Sequence, residues 1–480
     1  MADINLGVGG ANSAVAGAAY EIENSLKFES DNVESLTKSQ TASNRKTWTV
    51  SFWFKRTKIN SALQYVFEAG LSGSTLFSGP IIKGTDYWMI YDYMNNSRKL
   101  AFYSTAPLND PSAWYHMVIA CDTTQSIATD RFKIYLNGVN LTAISGYFST
   151  AQYPDQNYES NINWSSSSVS IGKAPTASTN FCGYISDFNF IDGLMKQASD
   201  FGEFDSDSGI WKPKEYTGSY GNEGYFLNFQ DSANLGADSS GNGNNFTQNN
   251  ITSIDQATDT PTNNFCTINN LVDNAFAIFS LTEGGTRGPN TGEGNKSVGT
   301  FAVSKGKWYW EGVTTAAAGT NYWMWGITRA DMQQGYSHDP GQGSAWYSAE
   351  NTFLTQTGVG ASSPTYDTGI TSYTVGDIWS ISLNCDVNPY EITLRFNNSV
   401  PGTAANNTNR SVGTFASEGP VMPFYFLYNI ASDDTWHNFG NPFIATLSGG
   451  NTDENGYGDF KYTPPSGYYA LCSKNLAEFG

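Results

Sequence analysis

Hydrophobic and polar residues alternate with a period of two along much of the chain, the pattern of strands with one covered face. In Arg131-Phe-Lys-Ile-Tyr-Leu136, Phe132, Ile134 and Leu136 share one side while Arg131, Lys133 and Tyr135 share the other. Asn137-Gly138 follows, a dipeptide that tolerates the positive φ angles of a tight hairpin. The other half of the chain holds a second such pair. Trp379, Ile381, Leu383 and Cys385 share one face, the chain bends through Val387-Asn388-Pro389, and Tyr390, Ile392, Leu394 and Phe396 share one face of the return strand. Trp48, Val50, Phe52 and Phe54 line one side of another strand, whereas the run from Trp114 to Cys121 is apolar on both sides and reads as a central strand. These elements predict an all-β protein of two jelly-roll-like antiparallel β-sandwiches.

Composition sharpens that expectation. The 480 residues include 13 Trp, 28 Tyr, 29 Phe and 48 Gly, and only 14% are charged. Aromatic residues suit strands, and the abundant Gly, Asn and Ser suit tight turns. Residues 196–270 change character: Asp200-Phe-Gly-Glu203, Gly209-Ile-Trp-Lys-Pro-Lys214 and Asp238-Ser-Ser-Gly-Asn-Gly-Asn244 are dense in turn residues, with one candidate strand at Gly224-Tyr-Phe-Leu-Asn-Phe229. The stretch is too long and aromatic for a free linker, so it reads as an ordered, turn-rich connector. The domain plan is then a flexible or docking N-terminal arm (residues 1–22), a first sandwich (23–195), the connector (196–270), and a second sandwich with a C-terminal extension (271–480).

The first sandwich resembles the laminin-G-like, concanavalin A-like jelly roll through five pieces in order: Ser25-Leu-Lys-Phe28, Trp48-Thr-Val-Ser-Phe-Trp-Phe54, Trp114-Tyr-His116, Tyr135-Leu-Asn-Gly138, and Ile171-Gly172 before Gly183-Tyr-Ile-Ser-Asp187. Residues 300–445 are similar to the SPRY domain: Trp308-Tyr-Trp-Glu311, Gly326-Ile327, Gly376-Asp377, Asp386, Phe396-Asn397 and Asn438-Phe-Gly440. The connector and the ending from Tyr462-Thr-Pro-Pro465 to Leu476 resemble those of bacteriophage structural proteins. The resemblance implies a virion component, a tail fibre or related appendage, with a capsid fibre or decoration protein as the alternative. It further implies docking on other virion proteins through the N-terminal arm, a host cell-surface glycan or protein as ligand, and a homo-oligomer, a trimer in the usual fibre form.

Candidate chemistry is sparse. A glucanase pattern of two acids on one strand face has its nearest match in Glu203-Phe-Asp205-Ser-Asp207, within the turn-rich connector, and a solvated loop is the preferred reading. His116 reads as a satisfied core residue; His338 and His437 sit near loops, and no Gly-x-Ser-x-Gly elbow occurs. No catalytic residue is assigned, and the protein is expected not to be an enzyme; a polysaccharide-degrading virion enzyme is kept as a third reading. Asp238, Asn242 and Asn244 present oxygens at a spacing that suits Ca²⁺, but the same spacing makes a tight turn, which is preferred, so no cofactor is expected beyond that one candidate cation. Sugars are recognised by aromatic faces beside Asp and Asn, which nominates Trp346, Tyr347, Asp433, Asp434 and Trp436.

Charge and cysteines set the remaining limits. A net charge of −19, from 44 acidic and 25 basic residues, opposes binding to nucleic acid and anionic membranes. No apolar run reaches the ~20 residues that span a bilayer, and the opening Met1-Ala-Asp-Ile-Asn lacks the pattern of a secretory leader. The expected location is the virion, assembled in the host cytoplasm. Cys121, Cys182, Cys266, Cys385 and Cys472 form no CxxC pair and read as buried thiols.

Overall fold

The computed structural model describes residues 20–29, 31–59, 63–72, 75–165, 167–174, 180–269, 271, 281–289, 295–316, 322–330, 343–347, 352–356, 365–367, 373–400, 410–411, 419–428 and 434–480. The chain divides into two compact units, Met1–Thr262 and Asn263–Gly480, each built around two large antiparallel sheets; the first adds a two-stranded sheet of Gly202–Phe204 and Trp211–Pro213, and the second has one parallel pairing. No helix among the described residues is long and apolar enough to cross a membrane.

In the first unit, one eight-stranded sheet centres on Trp114–Asp122, Thr47–Arg56 and Gly183–Asp192, flanked by Phe132–Leu136 on one side and Ser25–Phe28 on the other. The facing sheet has nine strands, with Ser97–Pro107, Tyr87–Met94, Thr75–Ile82, Phe67–Ser72, Ser168–Ile171 and Ser35–Ser39 in that order across it. The alternating apolar sets meet between the sheets. Trp48 packs edge-on against Phe77 at 5.2 Å, Phe188 meets Phe67 at 5.7 Å, and Phe102 stacks on Phe132 at 5.3 Å. The 131–140 hairpin forms as its pattern predicts, with Phe132, Ile134 and Leu136 buried and Asn137 and Gly138 at φ of 47° and 81°.

The connector is not a separate element. Its strand Tyr225–Leu227 pairs with Gly183–Asp192, Gln256–Ala257 pairs with Ser25–Phe28, and Thr247–Asn249 extends the other sheet beside Ser35–Ser39. The first unit therefore runs to Thr262, and residues 263–270 belong to the second. Of the expected arm, residues 1–19 lie outside the described residues. Tyr20 donates to Asp187 Oδ1 at 2.7 Å, and the Ile22 backbone exchanges hydrogen bonds with Thr262 Oγ1.

Nearly every position of Thr47–Arg56, Trp114–Asp122 and Gly183–Asp192 is buried, so the sheet is covered on both faces. Its outer face mixes Trp53, Val118 and Ala120 with buried polar groups, and the connector supplies partners for the polar ones. Asp259 receives Lys55 Nζ at 2.8 Å on Oδ2 and Trp114 Nε1 at 2.9 Å on Oδ1. Trp211 Nε1 donates to His116 Nδ1 at 3.0 Å, which leaves His116 Nε2–H to donate to Ser51 Oγ at 2.9 Å. Burial holds the His116 pKa down to about 3, so the ring is neutral, a satisfied core residue as expected. The Trp211 indole rests against Gly138 and Gly202, where a Cβ would come within 2.4 Å of it; Gly138 thus serves both the hairpin turn and this close approach.

The second unit has two seven-stranded sheets. One runs Ile268–Asn269, Asn295–Gly299, Val421–Tyr428, Tyr322–Arg329, Gly343–Tyr347, Thr352–Gln356 and Thr365–Asp367; the other holds Arg287–Pro289, Asp434–Asn438, Lys307–Ala316, Ile378–Asn384, Glu391–Phe396 and Arg410–Ser411. Trp379 faces Phe396, Ile381 faces Leu394 and Leu383 faces Ile392, the register that the sequence pattern predicts. The C-terminal extension covers the outer face of this second sheet. Buried Glu311 accepts from the Lys461 and Tyr462 backbone N–H groups, each at 2.9 Å, and from Tyr309 Oη at 2.7 Å. Asn438 ties the same extension, donating to the Asp459 carbonyl at 2.8 Å while Phe439 enters the core. All five cysteines are buried thiols.

Breaking a buried pair leaves a desolvated charge behind, which costs about 3–5 kcal/mol. Asp259→Ala should therefore lower the denaturant midpoint of the first unit by an amount equivalent to about 3–5 kcal/mol. A loss under about 1 kcal/mol would show that Lys55 reaches water without Asp259.

Candidate functional site

Strand register defines a polar row across the outer face of the nine-stranded sheet. Thr247 pairs with Thr37, Thr37 with Ser170, Ser170 with Glu68, Glu68 with Ser78, and Ser78 with Tyr91. Directly paired residues point to the same side of a sheet, and their neighbours in sequence, Leu36, Val169, Phe67, Ala69, Phe77 and Ile90, lie in the core. Hydroxyl and amide groups fill one half of this face: Ser35, Thr37 and Ser39, Ser168 and Ser170, Thr247 and Asn249. They line, with Lys38 and Lys173, a depression of about 770 Å³. Tyrosines fill the other half. Tyr91 and Tyr93 meet edge-to-face at 5.1 Å, and the Tyr103 ring carries Lys83 at 5.3 Å and Arg98 at 5.8 Å.

Glu68 sits between the two halves. It is buried, accepts a hydrogen bond from Ser78 Oγ, and burial pushes its pKa up to about 7. Ser170 Oγ, beside it in register, is buried and makes no hydrogen bond among the described residues. A half-buried aromatic surface next to a field of hydroxyl and amide groups is suited to a polyhydroxylated ligand, which needs an apolar platform and many exchangeable hydrogen bonds. The sequence carries a trace of this face in Ser35-x-Thr37-x-Ser39, Ser168-x-Ser170, Thr247-x-Asn249 and Tyr91-x-Tyr93, each a period-two polar or tyrosine set. No spacing in the sequence joins them, because their register crosses six strands.

The residues nominated from sequence fall elsewhere. Asp434 and Trp436 do come together, but they are engaged within the protein. The Asp434 carboxylate accepts Arg287 Nε at 2.7 Å and Nη2 at 3.1 Å, Thr315 Oγ1 at 3.0 Å and Trp436 Nε1 at 3.1 Å. The Arg287 guanidinium covers the Trp436 ring at 4.8 Å, and the indole packs against the cluster of Val313, Ile378 and Leu447. Trp346 and Tyr347 lie on a strand of the other sheet, paired with Trp325 and Met324, and Asp433 lies outside the described residues. Of the five, the side chains of Asp434 and Trp436 are described, and those two meet within the fold.

The calcium candidates form a turn. Asp238 Oδ1 accepts the Phe226 and Ser240 N–H groups at 2.9 and 2.8 Å, and Oδ2 accepts Asn244 N–H at 2.8 Å and Ser240 Oγ at 2.9 Å. Asn242 and Asn244 turn their amide nitrogens onto the Gly224 carbonyl, each at 2.9 Å. A cation would have to displace donors from every Asp238 oxygen. The Glu203–Asp207 run passes from the short strand Gly202–Phe204 into a pinned turn: Asp205 accepts the Ser208 and Asp207 N–H groups, which draw its pKa down to about 2, and Glu203 pairs with Lys212 at 3.4 Å. His437 is buried against Tyr425 at 3.9 Å and, like His116, is kept neutral by burial; His338 lies outside the described residues.

Residues 28–199 match the model of the concanavalin A-like lectin/glucanases superfamily, so the first unit has the fold of that group. No curated protein matches the chain. Among solved structures, domains LG4-5 of the mouse laminin α1 chain share 9% identity over 84% of this chain and 82% of that one, with a TM-score of 0.28. The SPRY domain of human HERC1 shares 13% identity over 33% of this chain and 90% of that one, with a TM-score of 0.26. Full-length tailspike protein 2 of an Escherichia coli O157:H7 bacteriophage shares 14% identity over 37% of this chain and 23% of that one, with a TM-score of 0.26. Likenesses this distant carry no argument about activity.

The raised pKa of Glu68 has a measurable consequence. An acid whose pKa is about 7 in the folded chain and near its ordinary 4.5 when unfolded binds its proton more tightly when folded. Stability from this group is complete below the unfolded value and is lost as pH rises through the folded one. Asp92 and Asp187, both pushed up to about 7 by burial, act in the same direction. The melting temperature of the first unit should fall between about pH 5 and about pH 8, and Glu68→Gln should make that fall smaller. An identical pH profile in Glu68→Gln would show that Glu68 is ionised throughout.

Proposed function

We propose that this protein is a non-enzymatic structural component of a bacteriophage particle, a tail fibre or related appendage, and that the outer face of its nine-stranded sheet binds a host-surface glycan. The observation that carries the glycan reading is the row from Thr247 to Tyr91, which sets the hydroxyl and amide groups lining a depression of about 770 Å³ on the same sheet face as the tyrosine rings. The match of residues 28–199 to the lectin/glucanases superfamily supports it. The virion setting rests on the sequence resemblance of the connector and the C-terminal segment to phage structural proteins. Attachment through residues 1–22 and a trimeric state belong to the same reading.

Polysaccharide cleavage is the second reading, and one observation favours it: Glu68 is held near 7, where a carboxyl group can serve as a general acid. Hydrolysis needs a second carboxylate about 5–10 Å from the first. Neither the row nor the residues lining the depression supply one among the described residues.

Calorimetric titration of the full chain with purified host-surface polysaccharide tests both readings. Saturable binding with the polysaccharide recovered at its original length is expected. Thr37→Ala and Tyr91→Ala, with the fold checked by circular dichroism, should each weaken binding about tenfold, or about 1.4 kcal/mol. Unchanged affinity in both variants would remove this face from the function, and shortened polysaccharide would replace adhesion by cleavage.

A further inference from the structure

One buried cluster has the composition of a reaction centre rather than of a simple ion pair. Strand Ser25–Phe28 pairs with Gln256–Ala257 so that Ser25 faces Ala257 and Leu26 faces Gln256. One position further along, Lys27 meets Asp255, with Nζ 2.9 Å from Oδ1, and the same Nζ is 3.4 Å from Glu34 Oε1. The three side chains are 1%, 4% and 2% exposed. One ammonium thus faces two carboxylates away from water.

We propose that Lys27 and Asp255 become joined by an amide bond between Nζ and Cγ. Each part of the required chemistry has a residue in place. Asp255 Oδ2 accepts the Thr252 N–H at 2.8 Å and Thr252 Oγ1 at 3.3 Å, two donors at the oxygen on which charge develops when the carbonyl carbon is attacked. Glu34 is held by the Glu29 N–H at 2.7 Å on Oε2 and by Asn32 Nδ2 at 3.2 Å on Oε1, the oxygen nearest Lys27. Glu34 takes a proton from the Lys27 ammonium, and the freed amine attacks Cγ. The tetrahedral carbon then expels Oδ1 as water, using the proton held by Glu34 and a second proton from the attacking nitrogen. Ammonium and carboxylate become amide and water, Glu34 ends ionised as it began, and no oxidant or other reactant is consumed. The new amide N–H remains beside Glu34. The bond would close a covalent loop from residue 27 to residue 255 and fix the connector to the first strand, the role that disulfides play in other proteins.

The intact mass of the denatured full chain decides the matter. The expected mass lies below that of the sequence by one water, about 18 Da, and tryptic digestion should give a branched peptide joining residues 27 and 255 because trypsin does not cleave after an acylated lysine. Lys27→Arg should restore the full sequence mass, and Glu34→Gln, which keeps the side-chain shape and removes the proton carrier, should leave most of the protein at full mass. A wild-type mass equal to the sequence, or a deficit that survives in Lys27→Arg, would overturn the proposal. If Lys27→Arg does not fold, the peptide map of the wild-type chain alone decides: separate peptides for residues 27 and 255 overturn it.

Discussion

The architecture of the first unit depends on one constraint: a central sheet whose two faces are both removed from water. The inner face is satisfied by apolar packing, with Trp48, Val50, Phe52 and Phe54 in the core. The outer face carries Thr49, Ser51, Lys55 and His116, all buried, and a polar group buried without a partner costs several times what a made hydrogen bond returns. The segment after residue 195 supplies those partners. Asp259 answers Lys55 and Trp114, Trp211 answers His116, and Tyr220 Oη answers Asn189 at 2.8 Å. The connector is held because the sheet beneath it cannot remain stable uncovered.

The second unit meets the same constraint with the charge reversed. There the sheet carries the acid, Glu311, and the covering segment offers the Lys461 and Tyr462 backbone N–H groups in place of a cation. Burial outweighs these hydrogen bonds, so the Glu311 pKa is pushed up to about 7. In the first unit the partner sheet has nine strands, and its outer face holds the hydroxyl, amide and tyrosine groups of the candidate site, with Ser170, Glu68 and Ser78 buried among them.

Much of the fold was legible in the sequence because alternation is a local signal. The 131–140 hairpin, the strand of Trp48 to Phe54 and the pairing of Trp379 with Phe396 follow from residues a few positions apart. The role of the connector was half legible: its turns and aromatic content marked it as ordered, but nothing local revealed that Tyr225–Leu227, Thr247–Asn249 and Gln256–Ala257 enter both sheets of the first unit. The candidate site was not legible. Thr247 and Thr37 lie far apart in sequence and meet only through register, whereas Asp434 and Trp436, two residues apart and chemically suggestive, are engaged by Arg287. Local proximity favours pairs whose chemistry is already spent on the fold.

Native-state hydrogen exchange tests the central claim most directly, because it reads whether a segment opens with the sheet or apart from it. The account predicts that the backbone amides of Tyr225, Leu227 and Ala257 exchange as slowly as those of Val50 and Phe52, through the same cooperative opening. Fast exchange in the connector while the 47–56 strand stays protected would contradict it, since the outer face would then be stable without its cover.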